Sequence, residues 1–378
     1  MPVPIAPRRG TGGRRCARSA GQSSPPAPPA PPGPLGRVAP VSVLLSIVVP
    51  VHGVEQFLPR CLDSLLGDQQ ATDFEVVAVD DLSPDGCGAV LDEYAARDSR
   101  LRVLHLAENQ GLGGARTAAL PHVTGEYLWF VDSDDYLPEG ALEAVLAEVR
   151  KRDFDVLLTH FEHVYPDGST EPNPWRHLLA GSPLDRPRGA TLREHPAILN
   201  SVLSVWNKIF RRAYLDGLGV EFGRGYYEDI SVTYPALLAA GTLRYLDRSC
   251  YRYRRGRPGA ITATASPKHA DAFAQYDAIF AFLDRHPELA DLRTLVFDRT
   301  VKQALTVYDS AGLVPTGLRP EFFDRIGAHF AAHRPAGYRY PGGLRGLQYR
   351  LAARGARRPY DELRRTSRLP RTLKAKLR

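Results

Sequence analysis

The chain has 378 residues, 43% of them hydrophobic and 24% charged, which suits one large or two modest domains with a substantial core. Its formal charge of +7 resides in the ends: residues 1–40 and 341–378 together carry +16, so the body between them carries −9. A body of that sign argues against nucleic acid as a partner, because phosphates require a basic face.

No stretch approaches the ~18 continuous apolar residues of a transmembrane helix. The best candidate, residues 41–51, is short and is interrupted by Ser42, Ser46 and Pro50. Arg14-Arg15 is followed by Ser, Gly and Pro rather than an apolar segment, which leaves a secretion signal unsupported. Cys16, Cys61, Cys87 and Cys250 lack zinc-type spacing and are too few for a disulfide scaffold. A reducing, cytoplasmic location is expected, and the excess of Arg over Lys fits a GC-rich bacterial source.

In chain order, residues 1–40 are basic and rich in Ala and Pro, a composition that favours a disordered tail. The apolar run at 44–49 predicts a buried strand ended by Pro50, followed by a helix with Leu58, Cys61, Leu62, Leu65 and Leu66 on one face. A second strand at 74–79 turns at Asp80-Asp81 into a helix over 89–97. A third at 101–106 turns at Asn109-Gln110-Gly111 into a helix over 114–120, and a fourth spans 127–131. This alternation predicts an α/β fold with a doubly wound, mostly parallel sheet, whose ligands bind at the carboxyl ends of the strands. Asp80, Asp81, Asn109, Gly111, Asp132 and Asp134 all fall just past such ends.

Asp132-Ser133-Asp134-Asp135 closes the fourth strand. Three carboxylates in four positions repel one another unless a cation is present, and Mg²⁺ is usually held by one or two carboxylates plus substrate phosphates. A solvated turn with a helix cap is the competing explanation. Gly111-Leu112-Gly113-Gly114-Ala115-Arg116 follows a strand and opens a helix, as a dinucleotide fingerprint does, but Arg116 stands where that fingerprint needs its last small residue. His160 and His163, three apart on a strand, point to opposite faces and do not form a metal pair.

Four motifs then recur together: Ser46-Ile47-Val48-Val49-Pro50-Val51-His52, Val79-Asp80-Asp81-Leu82-Ser83-Pro84-Asp85, Asn109-Gln110-Gly111-Leu112-Gly113-Gly114-Ala115-Arg116 and Phe130-Val131-Asp132-Ser133-Asp134-Asp135. Over residues 46–262 the chain resembles family 2 glycosyltransferases with the GT-A fold. The resemblance implies that Pro50 and His52 lie beside a nucleotide, that Asp81 binds its base, and that Arg116 lies on the donor side. It also implies that Asp132 and Asp134 form the metal motif for Mg²⁺ or Mn²⁺, with Asp134 the direct ligand. Leu82 stands where relatives carry Gly, and Thr117 where they carry Asn.

The pair Glu228-Asp229 resembles the family's Glu-Asp, which makes Asp229 the candidate general base and puts Glu228 on the acceptor side. Capping of the following helix is the alternative role, and a helix N-terminus would weaken Asp229 as a base. Trp206-Asn207-Lys208 matches a further family signature, with Trp206 and Lys208 expected on the acceptor side. The basic loop from Tyr251 to Thr262 offers Arg254 and Arg255 to the donor diphosphate, although which Arg points inward is left open.

The resulting expectation is a metal-dependent, inverting glycosyltransferase moving a sugar from a nucleotide sugar, a UDP-sugar for preference, to a saccharide or polyol-phosphate acceptor. That acceptor would be a cell-envelope polysaccharide, a teichoic-acid-like polymer or a lipid-linked saccharide. A nucleotidyltransferase and an inactive glycan-binding module are the alternatives, and the first lacks a Gly-rich triphosphate loop at His52-Gly53-Val54-Glu55. The expected domains are a tail to residue 40, a GT-A domain over 41–265, a helical extension over 266–340 and a basic tail over 341–378. That last tail is a candidate for contact with an anionic membrane surface at the inner face of the plasma membrane.

Overall fold

Successive strand residues point to opposite faces, so a strand buried on both sides is mostly apolar, and any polar residue in it needs a partner. In the computed structural model, which describes residues 43–67, 71–201, 203–257 and 264–368, the first strands meet that condition, with buried Ser46 donating to buried Glu75 at 2.6 Å. Strands β1 (Leu45–Val51), β2 (Phe74–Asp80) and β4 (Tyr127–Phe130) are buried along their whole length. Leu45, Ile47 and Val49 of β1, with Tyr127 and Trp129 of β4, pack under helices α1 (Leu58–Leu66), α2 (Cys87–Arg97) and α4 (Ala141–Val149). Val48, Leu128 and Phe130 face the other layer, with α3 (Gly111–Ala119) and α6 (Ile230–Leu238). The two cores follow from a period of two.

Among the described residues the sheet has eight strands. Strand β3 (Leu101–His105) begins the order β3-β2-β1-β4, whose neighbours are all parallel. Strand β7 (Lys208–Arg211) then runs antiparallel between β4 and β5 (Val156–Val164). Beyond lie β6 (Thr170–Pro172), antiparallel to β5, and β8 (Leu243–Arg254), parallel to it. The doubly wound half is as expected, and the β7 insertion makes the whole sheet mixed. Pro50 does not end β1 but lies inside it, two residues past the last β1–β4 pair, Val48↔Phe130, so its missing N–H interrupts no bond on that side.

After the sheet and the short helix α5 (Arg212–Gly217), the chain is helical: α7 (Asp271–Arg285), α8 (Arg293–Asp309), α9 (Arg319–His333), α10 (Gly343–Ala353) and α11 (Arg357–Arg368). The stripe Ala272, Phe273, Tyr276, Ile279, Phe280 and Leu283 is buried on α7, as its spacing predicts. Two expected boundaries change. One core runs from Val48 through Tyr276 to Tyr360, so no break in packing separates the extension from the sheet at residue 265. Residues 343–368 are not a tail: Tyr349, Ala352 and Tyr360 are buried, and the Tyr349 hydroxyl donates to the Asp298 carbonyl at 3.1 Å. Aromatic side chains spaced among the arginines supply an apolar face that the net charge concealed. The expected tail at 1–40 and the end of the basic loop at 258–263 lie outside the described residues.

Tyr349→Ala should therefore cost roughly 3 kcal/mol or more, as for other buried aromatics cut to Ala, measured by urea denaturation. A loss within about 0.5 kcal/mol, the surface value, would mean that α10 is not part of the core.

Candidate active site

The carboxyl ends of β1, β2 and β4 open onto a cavity of about 510 Å³. Pro50, His52, Asp81, Asn109, Gly111, Asp132 and Asp134 come to its wall from four separate strand ends. Asp80 does not. As the residue before Asp81 it points the other way, accepting from Ser83 N–H and lying 3.0 Å from His105 Nδ1, and it shapes the turn instead.

That turn orients Asp81. Its carboxylate accepts the Gln110 N–H at 2.7 Å, and its carbonyl accepts from Asn109 Nδ2 at 3.0 Å and lies 3.0 Å from His52 Nδ1. Leu82 next to it has φ of 54° and an exposed side chain. A left-handed conformation at a Leu is strained by roughly 1–2 kcal/mol, which explains in physical terms why Gly is the commoner residue there.

Asp132 keeps the parity of Leu128 and Phe130 and so faces α3, where Arg116 meets it at 2.7 Å. The other end of the Arg116 guanidinium is 2.5 Å from Glu228 Oε1. Arg116 is 1% exposed. Burial alone would lower its pKa, but Asp132 and Glu228 outweigh burial and raise it. The residue that broke the dinucleotide fingerprint thus ties the Asp motif of β4 to the Glu-Asp pair 112 positions later. Gly113 allows the approach: a Cβ there would lie 2.1 Å from the Gly223 carbonyl and 3.2 Å from the Glu228 side chain.

Asp134 and Asp135 diverge. Asp135 is fully buried and accepts the Tyr251 hydroxyl at 2.9 Å and the Arg254 N–H at 2.7 Å, while Tyr251 itself accepts the Asp132 N–H at 3.1 Å. It fastens the motif to β8. Asp134 lines the cavity and is paired with Arg257, and burial together with Asp132 raises its pKa although Arg257 opposes the rise. Burial and the two neighbouring aspartates push Asp135 up as well.

Of the basic loop, Arg254 and Arg257 reach the cavity. Arg254 Nε donates to the Asp134 carbonyl at 2.6 Å, and its guanidinium lies 4.8 Å from the Tyr136 ring centre. Arg255, expected on the donor side, instead lies over the Tyr253 ring and does not line the cavity. Alternation along β8 sends adjacent arginines to opposite sides. Arg257 and Lys268 are the cavity cations that the sequence reading did not single out. Charge alone could not separate them from their neighbours.

Asp229 precedes α6 and occupies the N-cap position, yet its side chain does not cap the helix. It accepts the Val205 N–H at 3.1 Å and faces the cavity with Glu228. Burial and the charge of Glu228 raise its pKa well above the ordinary carboxylate value, against the pull of Arg116. The side chain makes no cap bond, and burial with the charge of Glu228 outweighs the lowering expected at a helix end. Trp206 touches the cavity and is stacked on Tyr251 and Tyr253 at 4.5 and 5.3 Å, combining the core and lining roles. Lys208 does not line it. Fully buried, with Nζ 2.6 Å from the Ser204 carbonyl, it is pushed down to about 7 by desolvation, against the attraction of Asp229.

The donor set suits a hard divalent cation. Asp132 and Asp134 offer only oxygens, and burial together with the Asp132 charge raises the Asp134 pKa despite Arg257, so a cation bound there would relieve both effects. With a nucleotide diphosphate completing the ligands, these two residues would hold Mg²⁺ or Mn²⁺.

The model of glycosyl transferase family 2 matches residues 46–219. The chain is 31% identical over 247 residues to the uncharacterized glycosyltransferase EpsJ of Bacillus subtilis, covering 64% of this chain and 70% of that protein. A shorter match, 39% over 100 residues, is to the poly(ribitol-phosphate) beta-glucosyltransferase of Bacillus spizizenii, covering 26% of this chain and 16% of that protein. Among solved structures, residues 1–349 of S. aureus TarS in complex with UDP-GlcNAc align with a TM-score of 0.68 at 24% identity, over 86% of this chain and 91% of that one. These matches set aside the nucleotidyltransferase: the chain belongs to glycosyl transferase family 2 and is a glycosyltransferase.

Proposed function

We propose that this enzyme transfers a sugar, with inversion and with the help of Mg²⁺ or Mn²⁺, from a UDP-sugar to a hydroxyl of a cell-envelope polymer. A polyol-phosphate chain of the teichoic-acid type is the preferred acceptor. The observation that carries the reading is the continuous charge chain Asp134, Asp132, Arg116, Glu228, Asp229, which joins a cation-seeking carboxylate to a base-like one across a single cavity. Two of the similar proteins, a poly(ribitol-phosphate) beta-glucosyltransferase and a structure in complex with UDP-GlcNAc, support the acceptor and donor classes.

In this reading Asp81 receives the nucleotide base, and Pro50 and His52 flank it. Asp229 takes the proton of the acceptor hydroxyl as its oxygen bonds to the anomeric carbon from the face opposite the departing phosphate, so the configuration inverts. The carbon–oxygen bond to the diphosphate breaks and a nucleoside diphosphate leaves. Held by Asp132 and Asp134, the metal would supply electrostatic stabilisation to that leaving group. Arg254 and Arg257 add fixed positive charge beside it. Arg116, bonded to both, holds Asp132 and Glu228 in place. No helix among the described residues is long and apolar enough to cross a membrane. Leu344 and Leu347 are exposed on α10 beside its arginines, an arrangement that supports peripheral contact with anionic lipid.

The primary test is release of nucleoside diphosphate from a panel of nucleotide sugars, with and without Mn²⁺ or Mg²⁺. Turnover of one donor that needs metal and is lost in Asp134→Ala supports the reading, whereas metal-independent turnover would refute the metal's role. In acceptor-dependent transfer, Asp229→Asn should lower kcat by roughly 10²–10⁴-fold, the range for loss of a general base. Asp229 works ionised, so kcat/KM falls as pH drops through its pKa, and the raised value puts that limb above the ordinary carboxylate range. A wild-type profile flat down to the ordinary range would remove Asp229 from the role.

The same burial predicts a stability trade. A carboxylate with a raised folded pKa binds its proton more readily in the folded state, so the metal-free protein loses stability as pH rises through that window. Asp134→Asn should thus raise the Tm of metal-free protein at neutral pH while abolishing metal-dependent turnover. Arg116→Ala should act in the opposite sense, costing about 3–5 kcal/mol because it leaves two buried carboxylates without their partner, as read from denaturant unfolding.

A further inference from the structure

Helices α7 and α9 pack together in the helical half of the molecule, and none of their residues lines the catalytic cavity. His329 and His333 are one turn apart on α9 and share a face. Asp277 of α7 meets them there, and one ligand-capable atom from each of the three lies within 4.8 Å of the other two.

The proton positions around His329 follow from its neighbours. Its Nε2 is 2.9 Å from Thr300 Oγ1, and that hydroxyl donates to the Phe297 carbonyl at 3.1 Å. With the Thr300 hydroxyl assigned as donor to Phe297, it accepts from the ring, and the tautomer assigned on that basis has its proton on Nε2. Nδ1 then carries a bare lone pair. It is buried with no hydrogen-bond partner among the described residues, in a side chain that is 4% exposed. Such an orphan is uncommon and calls for an explanation.

We infer that Asp277, His329 and His333 form a second metal site, for a borderline transition-metal dication of the Zn²⁺ type, with His329 ligating through Nδ1 and water completing the coordination. Nitrogen donors distinguish it from the all-oxygen Asp132/Asp134 pair and favour Zn²⁺ over Mg²⁺ or Mn²⁺. The Thr300 hydroxyl behind His329 supplies the outer-shell acceptor that metal-bound histidines usually have. Ligand atoms of tetrahedral Zn²⁺ with bonds of ~2.0–2.1 Å stand about 3.3 Å apart. The 2.6 Å contact between His333 Nε2 and Asp277 Oδ1 has to open, and separations of up to 4.8 Å within the group have to close; the 66%-exposed Asp277 side chain has room to make its share of that adjustment.

An ion here staples α7 to α9. Helix α7 also steadies the segment before the candidate base: the Asp271 carboxylate accepts the Tyr226 N–H at 3.1 Å, and Gln275 Nε2 donates to the Arg224 carbonyl at 2.9 Å. Occupancy would stiffen the presentation of Glu228 and Asp229 without touching substrate.

The full-length chain, stripped with chelator, is titrated with Co²⁺ and then Zn²⁺. The expected result is the visible absorption of a tetrahedral, nitrogen-ligated Co²⁺ site, its displacement by Zn²⁺, and a Zn²⁺-dependent rise in Tm. Asp277→Asn and His333→Gln, both outside the deep core, should weaken Zn²⁺ binding roughly tenfold or more with unchanged far-UV circular dichroism. Asp134→Ala should leave the Co²⁺ spectrum intact. No such spectrum at millimolar cation, equal affinity in the two site variants, or loss of the spectrum in Asp134→Ala would each overturn the proposal.

Discussion

The Arg116 guanidinium is the interaction on which the site depends. Fully buried, it meets Asp132 on one side and Glu228 on the other, and so joins the end of β4 to the segment before α6. Without a fixed cation there, the carboxylates of these two segments would repel one another in a medium that screens poorly. Its charge also offsets part of the repulsion between Asp132 and its neighbours Asp134 and Asp135. The near contact of α3 with residues 223–228, permitted by Gly113, delivers Arg116 to that position.

Around this bridge the other carboxylates are sorted by their neighbours. Asp135 is turned inward and bonded to Tyr251 and the Arg254 amide, a structural use. Asp81 is held by the backbone of the Asn109-Gln110 turn. Asp134 and Asp229 face the cavity with their charge only partly met, and burial raises both pKa values. Unmet charge is destabilising to the free protein and useful for holding a cation or taking a proton. The Arg257 pair with Asp134 offsets part of that cost.

Much of this was legible in the sequence. The apolar runs at 44–49, 74–79 and 127–131 identified the strands because a doubly buried strand has no polar positions to spare. The carboxyl-end rule then collected Asp81, Asn109, Asp132 and Asp134, and the Ala272 to Leu283 stripe identified α7. Other features were not legible. Neither β7 nor its antiparallel placement has a strong local signal, since four residues carry too little periodicity. Residues 343–368 of the tail expected over 341–378 are packed helix, because net charge says nothing about the few aromatic side chains that anchor a segment. Arg255 and Arg257 look alike in a basic loop, and only the course of β8 and the turn after it decide which one reaches the cavity.

By itself, the sequence determined the strand–helix alternation, the identity of the acidic motifs and their place past strand ends, because these follow from local pattern and chemistry. Tertiary structure alone decided which carboxylate caps, which bridges and which faces the cavity. Asp80 and Asp81, or Asp134 and Asp135, are the same side chain one residue apart, and alternation about the backbone sends them into different surroundings. The charge state of each depends on burial and on partners more than a hundred residues away, as Arg116 and Glu228 are. Such distances close only when the sheet and its helices pack.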